Sequence, residues 1–289
     1  MFQDSKKYRL LFFVVVLLVI NIFLFRLELQ SSNRGLTFAM LNVGQGDSLF
    51  IESPSGTQIL IDGGPPRRIL SQLQRVMSPF DRQLDAIIIT NPDQDHIGGF
   101  LDVLKVYQVD SVFESGTIND SKTFQNLKTE IKNKNIPNLL AKKGMRLDIG
   151  GGAVIDILFP DRDVFDWSPN DGSIVARLSY GDTSVMLTGD STSRTEEIIL
   201  EQYAQSELDS DILKVGHHGS RTSTGSSFLK AITPVYALIS SGKDNNYGHP
   251  HRDVLDTLDS LGVKVFRTDL SGTIIMKSDG KKEVFSFHK

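Results

Sequence analysis

The stretch Ile87-Ile-Ile-Thr-Asn91-Pro-Asp93-Gln-Asp95-His96-Ile-Gly98-Gly99 decides how this chain folds. Residues 86–90 are a short apolar run of strand length, rich in β-branched side chains, and read as a buried strand. The run opens directly into a polar loop. Two carboxylates and an imidazole fall within residues 93–96, ahead of a pair of glycines.

The same pattern recurs outward along the chain. Ile59-Leu-Ile-Asp62-Gly63-Gly64 stops on an acid and two glycines, and Val185-Met-Leu-Thr-Gly189-Asp190 stops on Gly-Asp. Ile212-Leu-Lys-Val-Gly216-His217-His218-Gly219-Ser220 stops on a histidine pair, and Tyr247-Gly-His249-Pro-His251 follows a fifth strand. Singly, each has an ordinary reading: Asp-Gly-Gly is a turn, Asp and His cap helices, and loop histidines are common. Together, carboxylates and imidazoles at the ends of adjacent strands converge on one point, and this donor chemistry suits Zn2+ or Mn2+. Two ions sharing a bridging carboxylate would bind a phosphate or carbonyl and generate hydroxide at neutral pH. The glycines beside the candidate ligands are expected to let the backbone approach an ion closely.

Further strands are expected at residues 37–43, 48–52, 58–61, 111–114, 154–159, 173–179, 184–188, 212–215, 236–239, 263–267 and 273–277. Helices are expected at 69–76, 100–106, 122–134, 195–203, 226–231 and 253–261. Short strands with helices in both halves point to two sheets packed together and covered by helices.

The chain has 289 residues, 39% apolar and 23% charged, with 31 Lys and Arg against 35 Asp and Glu, a net charge of −4. That composition excludes wholesale disorder and collagen-like structure, supports a sizeable core, and does not suit coating DNA by bulk charge. The absence of cysteine excludes disulfide scaffolds, thiolate zinc sites and Cys nucleophiles. One segment is concentrated in positive charge: Lys122, Lys128, Lys132, Lys134, Lys142, Lys143 and Arg146, opposed only by Glu130. It reads either as a set of phosphate contacts or as a solvated helix face. Without an aromatic stripe, contact with a nucleic-acid backbone is expected rather than base stacking.

Residues 10–25 are an apolar run interrupted by Asn21, with Lys6, Lys7 and Arg9 before it and Arg26 after it. At about 1.5 Å per residue the run covers roughly 24 Å, and residues 8–27 cross a core of about 30 Å if Arg9 and Arg26 snorkel. The expectation is one N-terminal transmembrane helix within residues 1–30, a polar linker at 31–35, and one domain over 31–289. The basic flank places the N-terminus in the cytoplasm and the domain outside it. A cleaved signal peptide with a secreted domain, and a buried core helix, are the alternatives.

These segments resemble the metallo-β-lactamase superfamily, and within it the extracytoplasmic hydrolase domain of ComEC-type competence proteins. The matching text is Leu41-Asn-Val-Gly-Gln-Gly-Asp-Ser48, Leu60-Ile-Asp-Gly-Gly64, Asp93-Gln-Asp-His-Ile-Gly-Gly99, Leu187-Thr-Gly-Asp190, Leu213-Lys-Val-Gly-His-His-Gly-Ser220 and Tyr247-Gly-His-Pro-His251. Phe266-Arg-Thr-Asp269 and Gly272 also fit, so the resemblance covers about residues 36–278. It implies a four-layer αββα sandwich with a site at one edge between the sheets, holding one or two divalent ions, Zn2+ or Mn2+. It implies that Asp62 orients ligands from behind, that Asp95 and His96 hold one ion, and that Asp93, with Asn91 weakly through its amide oxygen, holds the other. Asp190 would bridge. His217 matches the last ligand position best, with His218 as its rival. Asn170 lies roughly where other branches carry a histidine, and His249 would face substrate.

The second motif of the superfamily reads His-x-His-x-Asp-His, whereas here it is Asn91-x-Asp93-x-Asp95-His96. A site so poor in imidazole implies one firm ion and one weak one, with Mn2+ or Mg2+ favoured at the weak position. The activity implied is metal-dependent hydrolysis of DNA or another phosphodiester, either beside an uptake channel that this chain does not itself contain or as an independent hydrolase. Hydrolysis of another ester or amide, of lactone or lactam type, and an inactive metal- or DNA-binding module are the competing classes. In the phosphodiesterase reading Asp93 or Asp95 steers the attacking water and His249 helps the leaving oxygen. Ser220, Arg221 and Lys243 would contact phosphate.

Overall fold

The isoleucine run of residues 87–89 is a strand whose two faces lie in different cores. Ile88 packs between two sheets, and Ile87 and Ile89 face a layer of helices. The computed structural model describes Lys7, Arg9, residues 12–22 and residues 35–289, and the same period-2 division repeats through it.

The strands of the first half are β1 (Leu36–Met40), β2 (Leu49–Glu52), β3 (Gln58–Ile61), β4 (Gln83–Leu84), β5 (Ala86–Ile89), β6 (Gln108–Val109), β7 (Val112–Glu114) and β8 (Asn138–Leu140). Those of the second are β9 (Arg146–Gly150), β10 (Ala153–Phe159), β11 (Val175–Tyr180), β12 (Thr183–Leu187), β13 (Ile212–Lys214), β14 (Tyr236–Ile239), β15 (Lys264–Arg267), β16 (Thr273–Ser278) and β17 (Glu283–His288). One sheet has the order β17-β16-β1-β2-β3-β5-β7-β8, and the other β15-β14-β13-β12-β11-β10-β9, while β4 and β6 pair separately. Phe38, Ile51 and Ile61 of the first sheet meet Ile155, Val185 and Leu238 of the second in the central core. Ala39, Phe50 and Leu60 point the other way, against Ile69 and Leu73 of helix Ile69–Val76 and Phe100 and Val103 of helix Phe100–Val106. Met186, Leu213 and Ala237 likewise face Ile199, Phe228 and Leu258 on helices of the opposite flank. The result is the expected αββα sandwich.

Helices 69–76 and 100–106 stand where their periodicity places them. Strands β4, β6, β8, β9 and β17 were not expected. The first two have only two residues, β8 is exposed throughout, β9 buries one residue of five, and β17 leaves most of its residues in solvent, so none shows a clear burial pattern.

Residues 12–22 are helical, and their apolar side chains are exposed, Phe12 at 66% and Leu17 at 58%. At about 1.5 Å per residue they cover roughly 16 Å. Among the described residues no helix is long and apolar enough to cross a membrane. Leu10, Leu11 and 23–25 of the expected span, and 31–34 of the expected linker, lie outside the described residues.

Candidate metal centre

Parallel pairing aligns the strand ends that carry the chemistry. Ile61 of β3 pairs with Ile88 of β5, and Leu187, Lys214 and Leu238 stand in register across β12, β13 and β14. Asp62, the 91–93 loop with the helical turn Gln94–Ile97, Asp190, the 216–219 turn and the 240–249 loop therefore emerge at one edge between the sheets. The glycines act differently from the expectation that they admit backbone to an ion. Gly63 N donates to His96 O at 2.6 Å and Gly99 N to Gly64 O at 2.8 Å. A Cβ on Gly99 would stand 2.0 Å from Gly63 O, and one on Gly46 would stand 2.2 Å from Asp95 O. They let ligand-bearing loops pack backbone to backbone.

Asp95, His96, Asp190 and His218 form one group in which a donor atom from each lies within 4.8 Å of the others. His96 Nε2 stands 3.1 Å from Asp190 Oδ2, and His218 Nε2 stands 3.3 Å from both Asp190 Oδ2 and Asp95 Oδ2. Each imidazole is fixed from behind. His96 Nδ1 lies 2.8 Å from Asp62 Oδ2, and His218 Nδ1 lies 3.0 Å from Ser240 O. With Nδ1 spent as donor, Nε2 turns its lone pair to the centre, the usual arrangement of a metal-ligating histidine. Asp62 is itself held, accepting from Thr90 N at 2.9 Å and Thr90 Oγ1 at 2.5 Å.

The group fits a divalent cation. His96 Nε2, His218 Nε2 and Asp190 Oδ1 are buried without a hydrogen bond. Burial disfavours the charged imidazoles, yet Asp190 with Asp62 holds His96 well above its ordinary range, and Asp190 with Asp47 does the same for His218. Reciprocally, despite burial, His218 and His96 hold Asp190 well below the usual carboxylate range. The carboxylates around the two imidazoles thus favour positive charge at this point, which a cation bound to the ring nitrogens would supply in place of protons. Two imidazoles and two carboxylates suit a borderline ion.

The structure separates the two histidines proposed for the last ligand position, gathering His218 rather than His217 into the group. His217 and His218 both adopt left-handed backbone, φ 47° and 56°, and the turn carries His218 inward while His217 keeps 23% exposure. His217 Nε2 lies 3.9 Å from Asp190 Oδ2 and accepts from Asn170 Nδ2 at 3.5 Å. Asp93 and Asn91 are not gathered into the group either. Asp93 Oδ1 accepts from Asn119 Nδ2 at 2.8 Å, and burial followed by the Asp95 charge pushes its pKa up. The amide oxygen of Asn91 accepts from Asp93 N at 2.8 Å, and its Nδ2 donates to Asn170 Oδ1 at 2.7 Å, so the oxygen is already engaged.

His249 flanks the group, its ring centroid 5.6 Å from His217 and its Nδ1 3.5 Å from Gln45 Nε2. Burial, then the neighbouring His218 and His217, push its pKa down to about 4. Ser220 is buried and accepts from Thr222 Oγ1 at 3.0 Å, bracing the turn rather than opening to substrate. Exposed Arg221 donates its backbone N to His251 Nδ1 at 3.1 Å. Lys243 lines a separate recess with Arg68 and Gln45.

Sequence reasoning missed Asp47 and Lys214. Lys214 is wholly buried, and its ammonium pairs with Asp47 Oδ2, donates to Gly189 O at 2.5 Å and lies 3.7 Å from Asp190 Oδ1. Asp190 is thereby divided, with Oδ1 toward Lys214 and Oδ2 toward the three histidines. A signal existed: lysine in an apolar strand is almost never fully buried unless paired.

An αββα sandwich with a carboxylate–imidazole group at the sheet edge defines a metal-dependent hydrolase. The profile of the Metallo-beta-lactamase superfamily matches residues 41–243, and the chain belongs to that superfamily. It is 33% identical over 267 residues to "ComE operon protein 3" of Bacillus subtilis (strain 168), covering 86% of this chain and 34% of that protein. It is 30% identical over 266 residues to "Recombination protein 2" of Haemophilus influenzae, covering 91% of this chain and 31% of that protein. The chain thus spans about a third of the length of these relatives. Among solved structures, the metallo hydrolase Igni18 from Ignicoccus hospitalis shares the fold, with TM-score 0.52 and 15% identity over 88% of this chain and all of that one.

Proposed function

We propose that this hydrolase is a phosphodiesterase that degrades DNA outside the cytoplasm. The observation that carries the reading is the convergence of Asp95, His96, Asp190 and His218, which we assign as the ligands of one firmly held ion. These four residues would hold a divalent ion, which when bound would supply Lewis acidity at neutral pH. Asp62 and Ser240 O hold the two imidazoles in the ligating tautomer. His249, with its pKa near 4, stays neutral at physiological pH. Its Nδ1 accepts from Gln45, which leaves Nε2–H to donate to a phosphate or leaving oxygen. Asp93, beside Asp95 and oriented by Asn119, is placed to position the attacking water. With Asn91 and Asn170 bonded to each other, Asp93 and His217 offer at most a weak second ion site.

DNA as the substrate is supported by kinship with "Recombination protein 2" and with "Competence protein ComA" of Neisseria gonorrhoeae, to which the chain is 29% identical over 266 residues, and the latter name supports a role beside a DNA-uptake channel. We place residues 1–30 in a membrane as a single-pass anchor, with residues 31–289 as the hydrolase domain on the far side. The support is the exposed apolar surface of residues 12–22, which water solvates poorly, and the basic N-terminal flank.

The test is degradation of single-stranded DNA by the full-length chain in mild detergent with Mn2+, Zn2+ or chelator. Metal-dependent cleavage that is lost in His96→Ala and Asp190→Ala is expected. Full activity in those variants refutes the ligand assignment. A folded wild-type protein that cleaves no DNA with any metal refutes the phosphodiesterase reading and favours another ester or a binding module. Elemental analysis is expected to find one tightly held ion per chain, and two tightly held zinc ions would contradict this.

A further inference from the structure

A cavity walled by residues of the 114–142 and 162–165 segments lies outside the metal group. It encloses about 400 Å3, and its lining combines aromatic, aliphatic and basic side chains: Phe124, Leu140, Phe165, Lys128, Lys142 and Arg162. Exposed large apolar side chains converge on it, with Phe165 at 52% and Leu140 at 47%. Its acids are engaged. Glu114 accepts from Lys128 Nζ at 2.6 Å, and Asp163 Oδ1 accepts from Phe165 N at 2.9 Å. Arg162 is paired with Asp161, whereas Lys142 makes no ion pair among the described residues and keeps its charge available.

The cavity is linked to residues that flank the metal group. Ile118 lines it, and the next residue, Asn119, donates to Asp93 Oδ1. Val164 lines it too and packs against Gly172, where a Cβ would stand 3.3 Å from Val164 Cβ. Gly172 belongs to the turn whose Asn170 and Ser173 hold Asn91. The cavity is thus connected to Asp93 through Asn119 and to Asn91 through the 170–173 turn.

We propose that this cavity is a subsite for one unpaired nucleotide of the strand being hydrolysed. The base lies against Phe124 and Phe165, the paired hydroxyls of Ser115 and Thr117 face its edge, and Lys142 meets the adjoining phosphate. The inference rests on the phosphodiesterase reading and adds a selection rule. A base stacked and paired in a duplex does not enter such a cavity, so the substrate is single-stranded. The basic segment contributes here through Lys142, and the second aromatic wall comes from Phe165, far along the chain. That is why the segment alone shows no stacking platform.

The test is fluorescence anisotropy of a labelled twelve-residue oligo-dT, and of a duplex of equal length, with the full-length chain in chelator, where binding is read without turnover. The single strand is expected to bind at least about tenfold more tightly than the duplex. Phe165→Ala is expected to weaken single-strand binding about tenfold, the effect of one lost base–aromatic stack. Lys142→Glu is expected to weaken it and flatten its salt dependence, while Phe80→Ala, at a side chain outside the cavity, leaves it unchanged. If wild type cleaves DNA but Phe165→Ala and Lys142→Glu bind as wild type does, or if duplex binds equally well, the subsite is refuted and the phosphodiesterase stands. If wild type neither binds oligo-dT nor cleaves it with metal, both readings fall.

Discussion

Replacing Lys214 by Met tests whether the buried ion pair is part of the site's foundation. Methionine keeps most of the lysine's stem volume, so packing is largely retained and the change removes mainly the charge. Asp47 then keeps only His218 Nδ1 at 3.3 Å, with both carboxylate oxygens buried and without a hydrogen bond. Gly189 O loses its donor, and Asp190 Oδ1 loses its nearest cation. Breaking one side of a buried pair costs about 3–5 kcal/mol, because the remaining charge stays out of water. At about 2–4 °C per kcal/mol for a domain of this size class, Tm falls by roughly 6–20 °C. Thermal and urea unfolding in chelator measure it, with Asp47→Asn and the double variant completing a cycle. The double variant is expected to be at least ~2 kcal/mol more stable than the sum of the singles predicts, since it strands neither charge. A Lys214→Met variant melting within about 2 °C of wild type, or a strictly additive cycle, would show that the pair is not a coupled unit and refute the reasoning.

Asp62→Ala removes the acceptor that fixes His96 Nδ1 and is expected to weaken Zn2+ binding about 10–100-fold in a chelator competition titration, with His218 still in place. Unchanged affinity would mean that His96 holds its orientation by packing alone. Glu196 is buried, its oxygens accepting from Thr224 N and from Gly225 N at 2.9 Å, and burial outweighs these donors to push its pKa up to about 7. Its folded pKa lies above the unfolded value, so its contribution is present below about pH 4.5 and is lost as pH rises toward about 7, up to ~3 kcal/mol. Urea midpoints between pH 5 and pH 7.5 should fall accordingly, and Glu196→Gln should flatten that slope at a cost of about 1–3 kcal/mol for turning an amide toward a backbone N–H. A wild-type midpoint that rises across this window rejects the assignment.

The layers of the fold and the positions of the chemistry were legible because both depend on local pattern. Apolar runs such as 87–89 announce buried strands, and an acid or imidazole just beyond such a run must emerge at a sheet edge. Contacts set by backbone turns or by distant partners were not legible. Two adjacent histidines are equivalent in sequence, and only the left-handed turn at 217–218 separates the inward His218 from the half-exposed His217. Asp47 reads as part of a Gly-Gln-Gly-Asp turn until Lys214 is seen to lie against it. The glycines read as room for an ion, but their neighbours are other loops.

Asn91 shows how a departure from the family pattern acquires physical meaning. In the sequence it is one missing imidazole, which suggests a weakened ligand. In the structure it is half of a pair. Asn91 Nδ2 donates to Asn170 Oδ1 at 2.7 Å, and Asn170, which stands near another position where the superfamily carries histidine, turns its own Nδ2 to His217 at 3.5 Å. An amide supplies donor and acceptor together, so two amides satisfy each other where two neutral imidazoles would leave lone pairs facing an ion. Restoring histidine at position 91 alone would leave Asn170 Oδ1 without its donor and Asp93 N without its acceptor, in a buried place where each loss is costly. Changes at 91 and 170 are therefore expected to be energetically coupled. Together they account for an edge of the site that binds through hydrogen bonds, beside the Asp95, His96, Asp190 and His218 group to which we assign the ion.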